Sequence, residues 1–253
     1  MAKKKMTIPD FKKFKAEGRK FAYTTAYDYT MATIVDESEV EIILVGDSLA
    51  MCILGRNSTV GVTMEDMIHH IKPVVLGAPN TFVVGDMPFG SYNQSAEQAI
   101  ANASRMLMET GCDAIKLEGG ATMAPTIRRL VDAGVPVMGH IGLTPQTASS
   151  MGGFKVQGGT PESAAELLRA AKAIEEAGAF SLVVECVPNS VGKALVEALT
   201  IPVLGIGAGV DVDCQVLVSY DLLGMYNGFK PKFVKHFGNI GPQMTAAFKA
   251  YDE

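Results

Sequence analysis

Apolar residues along this chain gather in short unbroken runs instead of alternating with polar ones. Eight such runs recur, at 21–25, 40–45, 81–84, 113–117, 135–138, 180–184, 201–206 and, least distinctly, 215–218. Unbroken apolar runs of this length are what parallel strands look like when both faces are covered. Stretches with helical periodicity separate them. Thr63-Met-Glu-Asp66 has the form of a capping box and opens a stripe of Met64, Met67, Ile68, Ile71 and Val75, which Pro73 should kink or end early. Ser95 to Gln98 opens a second helix that stops at Gly111. Thr160-Pro161 supplies an N-cap and an N1 proline ahead of Leu167, Leu168, Ala171 and Ile174, and Gly178 ends that helix. A further helix spans 189–199, weakened by Gly192.

Strands alternating with helices, with no Gly/Ser linker between them, predict an α/β protein. The expected form is a single (β/α)₈ TIM barrel over 1–253, with a short N-terminal helix and a C-terminal helical arm. A doubly wound open sheet is the alternative. Two stretches lack regular signals. Segment 142–159 is rich in Gly, Ser, Thr and Gln, and reads either as a lid at the strand ends or as a disordered surface loop. The tail 229–253, carrying Lys230, Lys232 and Lys235, reads as a final helix or arm.

Composition narrows the function classes. With 253 residues, 48 % of them hydrophobic, the chain is globular and not disordered. The 22 Lys+Arg against 27 Asp+Glu give a net charge of −5, which argues against nucleic acid as the main partner; the basic runs Lys3 to Lys5 and Lys12-Lys13 are too short to change that. No apolar run approaches the roughly 20 residues of a membrane helix, and the basic start at Met1 leads into Thr7-Ile-Pro-Asp10 instead of an apolar secretory core. A cytoplasmic protein without membrane partners is expected. The 4 cysteines (Cys52, Cys112, Cys186, Cys214) contain no C-x-x-C pair, which excludes a zinc ribbon and leaves free thiols in a reducing compartment. The 14 Met fit core filling.

In such a barrel, chemistry collects where the strands end. Reading just beyond each run gives Tyr27-Asp28, Asp47-Ser48, Asp86, Lys116 with Glu118, His140, Glu185 and the loop Gly205-Ile-Gly-Ala-Gly209. Any single Asp here could be an N-cap. Several carboxylates on one rim, however, repel one another unless a cation stands among them, and hard oxygen donors without a Cys or His cluster suit Mg²⁺. Rival motifs are weaker. Gly46-Asp-Ser-Leu-Ala50 has the letters of a GDSL-type serine esterase, but Ala50 spoils the elbow. The candidate base His236 is preceded by Phe233 at the required spacing, and Asp66-Met-Ile-His69 falls inside a helix. The glycine loop fails the dinucleotide pattern at Val210. His69 and His70 are adjacent, about 100° apart on a helix, and cannot chelate one ion together; His140, at a strand end, is better placed to contact a ligand.

Seven segments, in order, resemble the ketopantoate hydroxymethyltransferase family: Leu44-Val-Gly-Asp-Ser-Leu49, Gly85-Asp-Met-Pro-Phe-Gly-Ser-Tyr92, Ile115-Lys-Leu-Glu-Gly119, His140-Ile-Gly-Leu-Thr-Pro-Gln146, Lys155-Val-Gln-Gly158, Gly205 to Gly209, and Phe229-Lys-Pro-Lys-Phe-Val234. The likeness runs from about Thr7 to Asp252. Ala50 and Cys214 depart from it, each where the family usually has Gly, and neither replaces a polar group. The resemblance implies a barrel of the phosphoenolpyruvate/pyruvate superfamily that assembles as a homo-oligomer, a decamer. It implies transfer of a hydroxymethyl group from the co-substrate 5,10-methylenetetrahydrofolate to 3-methyl-2-oxobutanoate, giving 2-dehydropantoate for pantothenate synthesis. On that reading Asp47, Asp86 and Glu118 hold Mg²⁺; Ser48, Lys116, His140 and Tyr27 contact substrate beside Asp47 and Asp86; and Glu185 is the base. A Mg²⁺-dependent carbon–carbon lyase acting on a 2-oxo acid remains the alternative on the same barrel.

Overall fold

The computed structural model describes residues 3–225 and 230–252. All eight runs are strands: β1 (Phe21–Thr25), β2 (Ile42–Val45), β3 (Phe82–Asp86), β4 (Ala114–Lys116), β5 (Val137–Gly142), β6 (Ser181–Glu185), β7 (Val203–Ile206) and β8 (Cys214–Leu217). They pair in sequence order, all parallel, and β8 returns to β1 to close the barrel. The closed ring excludes the open doubly wound sheet. Strands β3, β5 and β6 run further than their apolar runs, so Asp86, His140 and Glu185 lie inside strands and not just beyond them. Ladder bonds to neighbours extend the strand where hydrophobicity stops.

The helices are α1 (Ile8–Glu17), α2 (Tyr29–Asp36), α3 (Leu49–Cys52), α4 (Met64–Gly77), α5 (Ala96–Thr110), α6 (Ala124–Asp132), α7 (Pro161–Glu176), α8 (Asn189–Ala198), α9 (Ser219–Leu222) and α10 (Ile240–Asp252). The expected starts hold: Thr63, Ser95 and Thr160 each cap a backbone N–H at the third helical position. Asp28 is also a cap, for α2.

Two local expectations need correction, and the glycine loop adds a third finding. Pro73 does not end α4, which continues to Gly77. Met67, Ile71 and Val74 are fully buried on that helix, and their burial outweighs the roughly 3 kcal/mol of an interior proline. Gly192 does not weaken α8 without return, because a Cβ there would lie 2.3 Å from the Ala208 carbonyl oxygen. Only glycine lets helix and loop approach that closely. The loop Gly205–Gly209 leads into β8 and not into a helix. The four-residue β7 requires a return of only about 13 Å, which residues 207–213 can span without a helical crossover.

Two apolar layers result. One lies between strands and outer helices; the other fills the barrel and contains Tyr23, Leu44, Val84, Met138, Val183 and Leu204. Helix α1 plugs the N-terminal mouth of the barrel. Phe11 packs on Phe21 at 5.5 Å and edge-on against Phe82 at 5.2 Å, while Phe14 reaches Phe21 at 5.9 Å. With that end sealed by the described residues, the cavity opens at the C-terminal ends of the strands. At the other end of the chain α10 forms as expected but buries no residue. Phe229 and Glu253 of the expected arm lie outside the described residues. Among the described residues no helix is long and apolar enough to cross a membrane.

Phe11 is only 1 % exposed, so Phe11→Ala should lower unfolding free energy by about 3–5 kcal/mol, read as a fall in the urea midpoint with unchanged slope.

Candidate active site

Inward-facing strand positions repeat every second residue, and along the barrel they change from apolar to ionisable toward the C-terminal ends. Val84 is followed inward by Asp86, Ala114 by Lys116 and then Glu118, Met138 by His140, and Val183 by Glu185. Asp86 and Lys116 are register partners on adjacent strands, which places Lys116 Nζ 2.8 Å from Asp86 Oδ1 and 3.7 Å from Glu118 Oε1. His140 bridges the next two carboxylates. Its Nδ1 lies 3.5 Å from Glu118 Oε1 and 3.4 Å from Lys116 Nζ, and its Nε2 lies 3.3 Å from Glu185 Oε2.

Asp47 joins the cluster from the turn after β2, where its backbone N–H donates to Asp86 Oδ2 at 3.0 Å. Ser48 follows, sharing a 2.8 Å hydrogen bond with the Tyr27 hydroxyl. Asp47, Ser48 and the ionisable strand-end side chains line one cavity of about 170 Å³, with Pro145 and Phe154 at its rim. That volume accommodates a small acid. Segment 142–159 is an ordered rim in part: it makes a short 3₁₀ turn at Pro145–Thr147, and Gln157 N–H donates to the Cys186 carbonyl at 2.8 Å.

The structure therefore brings Asp47, Ser48, Asp86, Lys116, Glu118, His140 and Glu185 to one cavity. It does not bring Tyr27 there. That ring is 1 % exposed, stands behind Ser48 and packs on Tyr220 at 5.8 Å, so it supports the serine and does not touch the cavity. His70 is likewise satisfied, its Nδ1 2.7 Å from the Tyr27 carbonyl. Ser48 has a tyrosine and no histidine as partner, which gives a serine-esterase reading no base. Two polar residues escaped assignment from sequence: Gln146, hydrogen-bonded to Asp47, and Tyr92, hydrogen-bonded to Gln146 and Glu118. Both lie in segments that carried the family resemblance, though nothing in their residue type marked them as chemical.

Burial of like charges governs the electrostatics. Asp47 is pushed well above the usual carboxylate range, first by burial and then by Asp86 and Glu118, against the pull of Lys116 and Gln146. Asp86 is also raised by burial, with Lys116 opposing and Glu118 reinforcing. Burial works the same way on Glu118, but the His140 hydrogen bond and Lys116 overcome it and hold that carboxyl below its ordinary value. Lys116 is held well above its ordinary value: burial lowers it, and Asp86, Glu118 and Asp47 more than compensate. His140 is pushed up to about 9, because Glu118 and Glu185 together outweigh burial and the Lys116 charge.

Among the described residues, no group of three or more His, Cys, Asp or Glu side chains is placed to hold a metal ion as the side chains stand. The donor set is an open one: buried, acid-rich, all hard oxygen, and facing a solvent-connected cavity. Such a set fits a cation that keeps several water or substrate ligands, as Mg²⁺ does.

The family model for ketopantoate hydroxymethyltransferase matches residues 5–253. A 3-methyl-2-oxobutanoate hydroxymethyltransferase from Heliobacterium modesticaldum is 60 % identical over 248 residues, covering 98 % of this chain and 90 % of the relative. One of the same name from Clostridium botulinum is 50 % identical over 247 residues, with the same two coverages, 98 % and 90 %. Among solved structures, 2,3-dimethylmalate lyase of the PEP mutase/isocitrate lyase superfamily superposes with a TM-score of 0.61 at 14 % identity, over 98 % of this chain and 87 % of that one. Phosphoenolpyruvate phosphomutase from Streptomyces platensis gives 0.63 at 13 %, over 98 % and 86 %. At those identities the likeness is one of fold.

A pH dependence follows from His140. Its folded pKa of about 9 exceeds the ordinary 6.5, so its stabilising contribution is complete below pH 6.5 and is lost as pH rises through 9. At neutral pH, with EDTA present, His140→Gln should cost on the order of 3 kcal/mol by linkage alone. The gap to the native protein should narrow steadily between pH 7 and pH 10 in denaturant titrations; a constant gap would mean that His140 is neutral in the fold.

Proposed function

The chain belongs to the ketopantoate hydroxymethyltransferase family, and from that premise we propose that it transfers a hydroxymethyl group from 5,10-methylenetetrahydrofolate to 3-methyl-2-oxobutanoate, giving 2-dehydropantoate. The observation that carries this reading is the placement of Asp47, Asp86 and Glu118 in the same cavity as Lys116 and Glu185. One side of the cavity has an excess of buried carboxylate, and the other has a base. A 2-oxo acid needs both.

Asp47, Asp86 and Glu118 would hold Mg²⁺, directly or through water. The ion supplies Lewis acidity at the keto oxygen and neutralises charge as it develops there. Lys116, poised between Asp86 and Glu118, offers an N–H to the substrate's oxygens, and Ser48 donates its hydroxyl there while accepting from the Tyr27 hydroxyl behind it. Glu185 takes the C3 proton. Its side chain is 15 % exposed, against 3 % for Glu118, so it faces the cavity instead of being enclosed in the carboxylate cluster. His140 Nε2 stands 3.3 Å from one Glu185 oxygen, and the other is left for the substrate. The deprotonated carbon then bonds to the methylene carbon of the folate, which the rim at Pro145 and Phe154 orients. Both C–N bonds of that methylene break, water supplies the hydroxyl oxygen, and the C3 proton and a water proton end on the two nitrogens of the departing tetrahydrofolate. Product release would leave the pantothenate precursor in the cytoplasm, and assembly as a homo-oligomer belongs to the same proposal.

Three variants test this. Asp47→Asn removes a ligand charge and should abolish Mg²⁺-supported turnover. Ser48→Ala loses one hydrogen bond to a charged ligand, about 1.5–3 kcal/mol, and should retain a reduced, measurable rate. Turnover that survives EDTA would overturn the metal assignment. For Glu185→Gln, solvent deuterium exchange at C3 of 3-methyl-2-oxobutanoate, followed by proton NMR without folate, should fall at least about 10²-fold while Mg²⁺-dependent binding of the oxo acid persists. Near-normal exchange by a folded Glu185→Gln protein removes Glu185 from the reaction.

A further inference from the structure

Gln146 is 4 % exposed and sits on the 3₁₀ turn Pro145–Thr147 beyond β5. Every polar atom of the residue that could serve the site is engaged. Nε2 donates to Asp47 Oδ2 and to the Met87 carbonyl, both at 2.9 Å. Oε1 accepts from the Tyr92 hydroxyl at 2.5 Å, and the backbone N–H donates to Glu118 Oε2 at 3.1 Å. The Tyr92 oxygen in turn accepts from the Glu118 backbone N–H at 3.2 Å. The orientation of the amide is dictated by its neighbours. A carboxylate and a carbonyl can only accept, so nitrogen must face them, and the hydroxyl then donates to oxygen.

We infer that Gln146 is a positioning residue for the reaction, one that clamps Asp47 and Glu118 into the arrangement that receives the cation. This rests on the assignment of those two carboxylates as metal ligands. The clamp takes Asp47 Oδ2 and leaves Oδ1 without a hydrogen bond among the described residues. It also takes Glu118 Oε2, leaving Oε1 toward Lys116 and His140. Asp47 is thus fixed by one oxygen and free at the other, whereas Glu118 is fixed by Gln146 at one oxygen and shared between Lys116 and His140 at the other. An amide is suited to this because it donates hydrogen bonds without adding charge. A lysine or arginine in its place would neutralise Asp47 and compete with the cation. The Gln146 side chain reaches the turn after β2 and the end of β3, and its backbone N–H reaches the residues after β4, so four strand ends, β5 included, are set by one residue. Tyr92 completes the clamp by locking the amide's oxygen.

The test is Mn²⁺ affinity, measured by electron paramagnetic resonance on the whole protein without substrate. Gln146→Met keeps length and volume but removes the donors, and should weaken Mn²⁺ binding by about 10- to 100-fold, the usual range for a residue that orients a metal ligand. Tyr92→Phe removes only the hydroxyl and should show a smaller loss in the same direction; it decides the matter if Gln146→Met does not fold. The Mg²⁺ concentration for half-maximal turnover should rise in parallel. A residue that merely packs the loop would change thermal stability and leave Mn²⁺ affinity alone. If the unaltered protein binds Mn²⁺ and the folded variants match it within about twofold, Gln146 has no positioning role. If the unaltered protein binds none, the metal assignment itself fails, and this inference fails with it.

Discussion

Four carboxylates and a single lysine share the C-terminal mouth of this barrel, and the cost of holding like charges out of water governs the rest of the site. Lys116 cannot balance them. It pairs closely with Asp86 and reaches Glu118 at 3.7 Å, which leaves Asp47 and Glu185 to other partners. Those partners differ in kind. Glu185 has a histidine that can carry charge, whereas Asp47 has an amide and a backbone environment that cannot. Compensating charge therefore stands on the His140 side of the cluster, and none stands at Asp47. On the proposed reading this asymmetry separates a place for a cation from a place for a base, since both roles need carboxylates whose surroundings push them apart.

The barrel makes that arrangement affordable by keeping its other end dry. Below the ionisable layer the interior is closed by Tyr23, Leu44, Val84 and Met138, and below those by the aromatic plug of α1. Water thus reaches the charged groups from one direction only, through the cavity. The interior is a packed core and not a pore, as expected for eight strands. A substrate entering by that route passes Pro145 and Phe154 at the rim and then meets the charged layer. The buried apolar layers supply stability that the charged layer does not contribute.

Much of this was legible in the sequence because the signals were periodic or terminal. Each of the eight apolar runs became a strand, and Thr63, Ser95 and Thr160 each capped a helix, because burial on both faces and satisfaction of free N–H groups are local demands. The acidic strand ends were legible for the same reason. What could not be read were interactions across the barrel. Whether Tyr27 faced the cavity or stood behind Ser48 depends on side-chain direction after the strand ends, which no spacing rule settles. Pro73 was misread because tertiary burial outweighs local geometry, and Gly192 because its purpose lies sixteen residues away at Ala208. Gln146 was invisible as a site residue. A neutral side chain gains significance only when two carboxylates from other strands close on it.

The backbone around Glu185 carries the same logic one step further. Cys186 is the only non-glycine residue with positive φ among the described residues, at 49°, a conformation that costs an ordinary side chain about 1–2 kcal/mol. It persists because both of its backbone groups are held: its N–H donates to the Ile206 carbonyl at 2.9 Å and its carbonyl accepts from Gln157 at 2.8 Å. On the other side of Glu185, Gly142 has φ of 89°, and a Cβ there would lie 2.2 Å from the Glu185 carbonyl oxygen. Leu143 N–H donates to that same oxygen at 2.9 Å. The chain is thus turned sharply just after Glu185 and pressed against a glycine beside it, with neighbours on β5, β7 and the rim loop fixing every degree of freedom. Backbone strain that is overdetermined in this way collects where a side chain must be aimed. Here it aims a carboxylate along its strand and into the cavity, and the loop that supplies Gln157 belongs to the same segment that supplies Gln146. One stretch of chain beyond β5 therefore holds both ends of the site in register, Asp47 and Glu118 through Gln146 and the turn behind Glu185 through Gln157.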